Sequence, residues 1–208
     1  SDDRLGLNDN RNFQAMLRKF GYESERVVYS AKLTKINKKG KHQSRVICVT
    51  DAAIYNLKEN KYNKFQRRIA MKNVGAITLS NSSSEFVIHV PDEYDYRYKT
   101  ADKETILETL KKVLLQSEDK RLRVFHVDHP QLSNVTVTKD MAVCLSREEL
   151  LLRKKRLAAE AHDSDNEHDV KEDGDVEQLL GHEERLTIDS FDLLKVLGRG
   201  AFGKVMLV

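Results

Sequence analysis

The chain has 208 residues, 39% of them hydrophobic and 33% charged, with two prolines, nine glycines and two cysteines, a length that holds one or two domains. Collagen-like, disulfide-framework and paired-cysteine zinc classes are excluded, because Cys48 and Cys144 each stand alone, and that usage suits a reducing compartment. The net charge of +3 conceals a division: residues 1–159 hold 31 Lys and Arg against 20 Asp and Glu, a net of +11, and residues 160–208 hold 5 against 13, a net of −8.

No uncharged apolar run approaches the roughly 18 residues of a membrane span. The opening Ser-Asp-Asp-Arg is neither a signal peptide nor an initiator methionine, as expected of a processed or cut chain. Residues 1–26 form an N-terminal extension in which Phe13, Met16, Leu17 and Phe20 recur at helical spacing. That pattern predicts a short helix over 11–21, ended by Gly21.

Seven β-rich runs follow: Val27–Leu33, Arg45–Thr50, Ala53–Leu57, Arg67–Met71, Val74–Leu79, Phe86–Val90 and Tyr94–Lys99. Turn material divides them. From Asp102, an expected N-cap, to Ser117 the apolar positions Ile106, Leu107, Leu110, Val113 and Leu114 make one helical stripe. Seven short strands and one amphipathic helix predict, for residues 27–117, a small antiparallel barrel plugged by its C-terminal helix. The fold class is mainly β with α.

Residues 118–146 are an extension of uncertain structure. Arg121–Val127 and Val135–Thr138 read as further strands, and His126 with His129, lacking further spaced ligands, reads as a strand end rather than a metal pair. Both cysteines read as core thiols. Residues 147–185 are expected to hold a helix, opened by a Ser146/Glu149 capping box, and an acidic linker, disordered over Glu160–Glu177. In it Ser164-Asp165-Asn166-Glu167 fits an acid-directed phosphorylation site at Ser164. Residues 186–208 begin a further ordered segment, with a strand at Phe191–Val196.

The segment Lys32 to Arg45 places Lys32, Lys35, Lys38, Lys39, Lys41 and Arg45 around the first hairpin, with His42 among them. A hairpin at the open end of a barrel projects such side chains to one side, and each cation beside an anionic membrane contributes about 1 kcal/mol. The same run would also serve as a solubilising loop. Aromatic residues are few, at 7%, and no nucleic-acid motif accompanies the charge, so nucleic acid is not an expected partner.

The Lys-Lys-Gly-Lys turn, the strand ending Val49-Thr50-Asp51, the run Ala53-Ile54-Tyr55-Asn56-Leu57, Arg67-Arg68-Ile69 and Phe86-Val87-Ile88-His89-Val90 resemble, in that order, the tail-homology-one domain of class I myosins. The resemblance covers about residues 27–117. It implies a pleckstrin-homology-like fold and binding of acidic phospholipids through a basic signature on the first two strands. The signature's lysine falls on Lys35 and its final arginine on Arg45. Its middle basic position holds Gln43, a departure for which Lys41 or His42 would compensate.

At the other end Leu197-Gly198-Arg199-Gly200-Ala201-Phe202-Gly203-Lys204-Val205 carries G-x-G-x-x-G-x-V between two β-like runs. Strand, glycine turn, strand is the geometry of the phosphate-covering loop of protein kinases rather than of a dinucleotide fold. Ser190 to Val208 resembles the opening of the AGC group of serine/threonine kinases. Val208 ends the sequence before the strand lysine, the His-Arg-Asp loop and the Asp-Phe-Gly metal site that phosphoryl transfer needs. The expectation is an inactive N-terminal fragment of a kinase whose complete form would use ATP and Mg2+ on protein substrates. The front domain would recruit it to acidic phospholipid as a cytoplasmic, peripheral membrane protein, and would contact the acidic linker or the kinase lobe within the chain. The rival reading is a non-catalytic membrane or cytoskeletal adaptor.

Overall fold

The computed structural model describes residues 2–159, 195–200 and 203–207, in two units divided between residues 166 and 167. The first opens with β1 (Asp2–Asp3) and α1 (Arg11–Phe20). Asn10 caps α1, its side chain accepting from the N–H groups of Asn12 and Phe13; the Gly21 end, at φ 76°, is the one predicted. Phe13, Met16 and Leu17 are buried. Phe20, expected on the same face, is half exposed and stacks on Phe65 with centroids 5.0 Å apart.

Seven strands follow: β2 (Val27–Ile36), β3 (His42–Thr50), β4 (Ala53–Leu57), β5 (Arg67–Ala70), β6 (Ala76–Ser80), β7 (Glu85–His89) and β8 (Tyr96–Lys99). They pair antiparallel in the order β5-β4-β3-β2-β8-β7-β6. Helix α2 (Lys103–Glu118) comes next and buries Ile106, Leu107, Leu110, Val113 and Leu114. The arrangement is mainly β, an antiparallel sheet followed by a C-terminal helix.

The expected barrel is not closed. β5 and β6 do not pair. Between them runs a 3-10 turn, Met71–Asn73, and Met71 and Val74 share one buried cluster with the α2 stripe. Side-chain packing from the helix thus fills the gap that backbone pairing leaves. Asp102 does not cap α2 through its side chain; Arg4 donates to that carboxylate at 2.9 Å instead.

Two cores result. The inner one joins Tyr29, Ala31, Leu33, Ile47, Val49, Phe86 and Ile88 to α2. The outer one packs Leu7, Phe13, Met16 and Leu17 of the N-terminal segment on Val46, Cys48, Tyr55 and Leu57. All five residues of β4 are therefore buried, without the alternation of a one-sided strand.

Residues after α2 return to the sheet. β9 (Val124–Val127) pairs parallel with β6 and extends the order by one strand, within the run Arg121–Val127 read as a strand. The strand expected at Val135–Thr138 is absent: a 3-10 turn occupies Ser133–Val135, and the Thr136 hydroxyl bonds the Leu132 carbonyl at 2.5 Å, bending the chain locally. Two helices follow, α3 (Lys139–Cys144) and α4 (Arg147–Ala159). The capping box forms as predicted, with the Ser146 N–H donating to Glu149 at 2.5 Å and the Glu149 N–H donating to Ser146 Oγ at 3.2 Å. Cys48 is buried; Cys144, expected in a core, is exposed because α3 buries none of its residues.

Asp95 is the hub of this extension. Its carboxylate accepts from His89 Nδ1 at 2.9 Å, the Val90 N–H at 3.1 Å, the Val137 N–H at 2.9 Å and the Arg153 guanidinium. Burial alone would raise its pKa, but the His89 hydrogen bond and the charges of His89 and Arg153 hold it below the ordinary aspartate range. Arg153 also donates to the carbonyls of Val90 and Glu93, at 3.1 and 2.8 Å. Segment and helix are both tied to the β7–β8 connection.

The described residues of the second unit are two antiparallel strands, β10 (Lys195–Gly200) and β11 (Gly203–Leu207), with an irregularity between Val196 and Gly198.

Candidate functional site

The β2–β3 hairpin places the basic residues by the period of two. Ala31 pairs with Ile47, Leu33 with Arg45 and Lys35 with Gln43. Ala31, Leu33 and Ile47 point into the inner core, so Lys35, Gln43 and Arg45 continue that face past the end of the apolar packing. They stand at the mouth of the sheet. The connecting loop is held by Asn37, whose side-chain oxygen accepts from the N–H groups of Lys39 and Lys41, both at 2.9 Å. Gly40 sits there at φ 74°, a conformation favouring glycine.

Arg45 donates to the Ser44 carbonyl at 2.7 Å and to Gln43 Oε1 at 3.1 Å. The residue that departs from the basic signature therefore aims its arginine. Lys35 stands 5.2 Å from the centroid of the Tyr96 ring. Burial, with Arg45 and Arg67 nearby, holds its ammonium below the ordinary lysine range. Arg67, buried on β5, lies over Tyr94 at 3.7 Å and pairs with Glu93 at 2.5 Å. Beneath lies a polar layer in which Arg45 Nε, Asn56 Oδ1 and the Tyr98 hydroxyl are buried without a hydrogen-bond partner among the described residues.

The other basic candidates separate. Lys32 has the opposite parity, lies outside the mouth and is paired with Glu59. Lys38 is exposed and reaches Asp140 of α3 at 2.5 Å. Lys39 and Lys41 are exposed and have no acidic partner among the described residues. Sequence reasoning missed Arg67, Tyr94, Tyr96 and Lys139 as neighbours of Lys35. Arg67 entered the sequence reading as the start of a β-rich run and in the resemblance, and nothing in its spacing from Lys35 signals the contact.

A cavity of about 380 Å3 opens beside Lys35 where β2 and β8 meet. Its walls include Lys35, Lys38, Tyr96, Arg97, Thr138 and Lys139.

In the second unit Gly200 pairs with Gly203 at the tip and Arg199 with Lys204. The described backbone is two antiparallel strands, one carrying Gly198 and Gly200 and the other Gly203 and Val205, with Leu197 at the irregularity. Ala201 and Phe202 lie outside the described residues, as do Ser164, the acidic linker Glu160–Glu177 and the run Phe191–Leu194. Among the described residues no three His, Cys, Asp or Glu side chains are grouped to hold a metal. His129 instead offers its carbonyl to Ser80 Oγ at 2.6 Å. No helix of the described residues is long and apolar enough to cross a membrane.

A family model described as an unconventional myosin tail, actin- and lipid-binding, matches residues 1–154. The chain is 63% identical over 30 residues to the ribosomal protein S6 kinase alpha-4 of Homo sapiens, and equally to that of Mus musculus. Each match takes in 14% of this chain and 4% of the kinase. Among solved structures, the hSac2 domain of the human phosphoinositide phosphatase Sac2 is similar with a TM-score of 0.43 at 12% identity, over 55% of this chain and 84% of that one. A pleckstrin homology domain solved in solution is similar with a TM-score of 0.40 at 14% identity, over 50% and 97%.

Proposed function

The chain belongs to the family of unconventional myosin tails, actin- and lipid-binding, and from that premise we propose that residues 2–159 bind acidic phospholipid through the mouth of the sheet. The observation that carries this reading is the register of β2 and β3, which sets Lys35 and Arg45 on one face beneath a loop whose Lys39 and Lys41 have no acidic partner among the described residues. Lys35 and Arg45 would engage phosphate oxygens, and Lys39 and Lys41 would lie against the anionic surface. The protein would be peripheral to a membrane in the cytoplasm.

Co-sedimentation with phosphatidylcholine vesicles, with and without phosphatidylserine, tests this. The expected result is binding that requires the anionic lipid and is lost in a Lys35→Glu, Arg45→Glu double variant. Equal sedimentation of the variant would refute it.

A second proposal concerns the glycine hairpin. Its sequence and backbone form, together with the short S6 kinase likeness, support reading it as the opening of a serine/threonine kinase domain in a longer parent. Gly200 pairs with Gly203 across the two strands, and glycine at these positions would let the backbone come close to a nucleotide phosphate. Residues Leu197 to Val205 would cover ATP, with Mg2+ neutralising its phosphates on residues elsewhere in the parent. Protein serine or threonine side chains would be the substrates. The acidic linker would compete with lipid for the basic hairpin; deleting it should raise vesicle affinity at low salt, and unchanged affinity would remove that contact. The adaptor reading is equally supported by the family's actin- and lipid-binding description. Reading the transcript beyond Val208 separates them: an Ala-x-Lys strand and a later His-Arg-Asp loop mean kinase, a stop codon means adaptor.

A further inference from the structure

We propose that the 380 Å3 cavity between the β2–β3 hairpin and the segment 133–141 is a headgroup pocket for a phosphate-bearing lipid, with Lys139 as a direct contact and Asp140 as its internal competitor. The proposal rests on the lipid-binding reading and adds to it a wall that the seven-stranded core does not contain.

Four cations line the cavity, Lys35, Lys38, Arg97 and Lys139, against one carboxylate, Asp95. The carboxylate is saturated by His89, Arg153 and two backbone N–H groups, so it has little left with which to repel an anion. Arg97 is spent on Glu85, in a two-pronged pair at 2.9 and 3.0 Å. That leaves three lysines on two sides of the opening: Lys35 and Lys38 from β2 and its loop, Lys139 from the first residue of α3. Lys139 is exposed and has no acidic partner among the described residues. Hydroxyls of Ser133 and Thr138 complete the wall. Cations converging from two elements, with hydroxyls between them, suit phosphate oxygens, and the volume falls in the range of small-ligand pockets.

The wall is built. The Leu132 N–H donates to Glu85 at 2.9 Å, and Val137 exchanges backbone and side-chain hydrogen bonds with Asp95 at 2.8 and 2.9 Å. Segment 133–141 is thus fixed relative to β7 and β8 before any ligand arrives. Lys38, which lines the cavity, pairs at 2.5 Å with Asp140, the neighbour in sequence of the lining residues Lys139 and Met141. Both partners are exposed, so the pair is weak in itself. A phosphate would displace Asp140 from Lys38 and take its place.

The test uses the full chain. Soluble inositol 1,4,5-trisphosphate is titrated by calorimetry, and sedimentation is compared on phosphatidylcholine vesicles carrying phosphatidylserine or phosphatidylinositol 4,5-bisphosphate at matched charge. Lys139→Ala is expected to lose tenfold or more, roughly, in trisphosphate affinity, the effect of a charge-assisted hydrogen bond. On phosphatidylserine it is expected to lose no more than about fivefold, the effect of one surface cation. Asp140→Asn is expected to gain trisphosphate affinity. A Lys139→Ala loss that is equal on both vesicles, or absent, overturns the pocket while leaving general lipid binding intact. An Asp140→Asn variant of unchanged affinity overturns the competition. Wild-type protein that sediments with neither vesicle refutes the lipid reading itself; if it still binds trisphosphate, the pocket stands and belongs to a soluble phosphate.

Discussion

Replacing Asp95 by alanine should unfasten the C-terminal extension. The carboxylate is buried and accepts four donors: His89, Arg153 and the N–H groups of Val90 and Val137. Asp95→Ala leaves the guanidinium of Arg153, only 13% exposed, without its counter-ion. Breaking one side of a buried pair costs about 3–5 kcal/mol, more than a pair of neutral hydrogen bonds at about 1 kcal/mol each. For a domain of this size that corresponds to a fall of roughly 6–20 °C in melting temperature. Circular dichroism melting measures the fall, and hydrogen exchange read by peptide shows where it originates: amides of β9 and of the segment around Val137 should lose protection before those of β2 and β3. A melting point within about 3 °C of wild type, with that segment still protected, would refute the assignment of Asp95 as the anchor.

The same carboxylate gives a pH dependence. Its folded pKa lies below the unfolded value, so its stabilisation is complete above the ordinary aspartate pKa of about 3.9 and is lost as pH falls through the folded one; urea midpoints of Asp95→Asn should be flatter over that acid range than those of wild type. Gly75→Ala would place a Cβ 2.4 Å from Pro91 Cγ, and overpacking of that kind should cost about 1–3 kcal/mol in a urea titration. Lys41→Ala should weaken sedimentation with phosphatidylserine vesicles by about fivefold, one surface cation's share, whereas Lys32→Ala, outside the mouth and paired with Glu59, should leave it within about twofold. Leu110→Ala, fully within the inner core, should destabilise by about 2–5 kcal/mol on the same urea scale.

What was legible in the sequence was local. The stripe of α2, the Asn10-to-Gly21 helix and the Ser146/Glu149 box are written within a few residues of one another, and the strands follow β-rich runs bounded by turns. Parity along β2 and β3 also carries Lys35 and Arg45 to one face and Lys32 to the other. The rest depends on partners distant in sequence. Nothing near Asp102 announces that Arg4 will take its carboxylate, and the buried pattern of β4 records a second layer supplied by α1. The strand expected at Val135–Thr138 yielded to a hydroxyl bending its own backbone and to Asp95 more than forty positions earlier. The cavity wall was illegible for the same reason: Lys139 meets Lys35 and Lys38 only through the folding back of the extension.

β9 carries a consequence for any shorter version of this chain. β6 would be the last strand if the polypeptide stopped after α2, and its backbone would face outward along the whole of Ala76–Ser80. Val124–Val127 prevents this: the Ile77 N–H reaches the Arg123 carbonyl at 2.9 Å and the Asn81 N–H the Val127 carbonyl at 2.8 Å. Bare strand edges recruit one another. Residues 1–118 alone, although they contain every strand of the antiparallel order and its helix, should self-associate through β6 with rising concentration. The four residues of β9 act as a selvedge, finishing the cloth so that it does not catch on its neighbours.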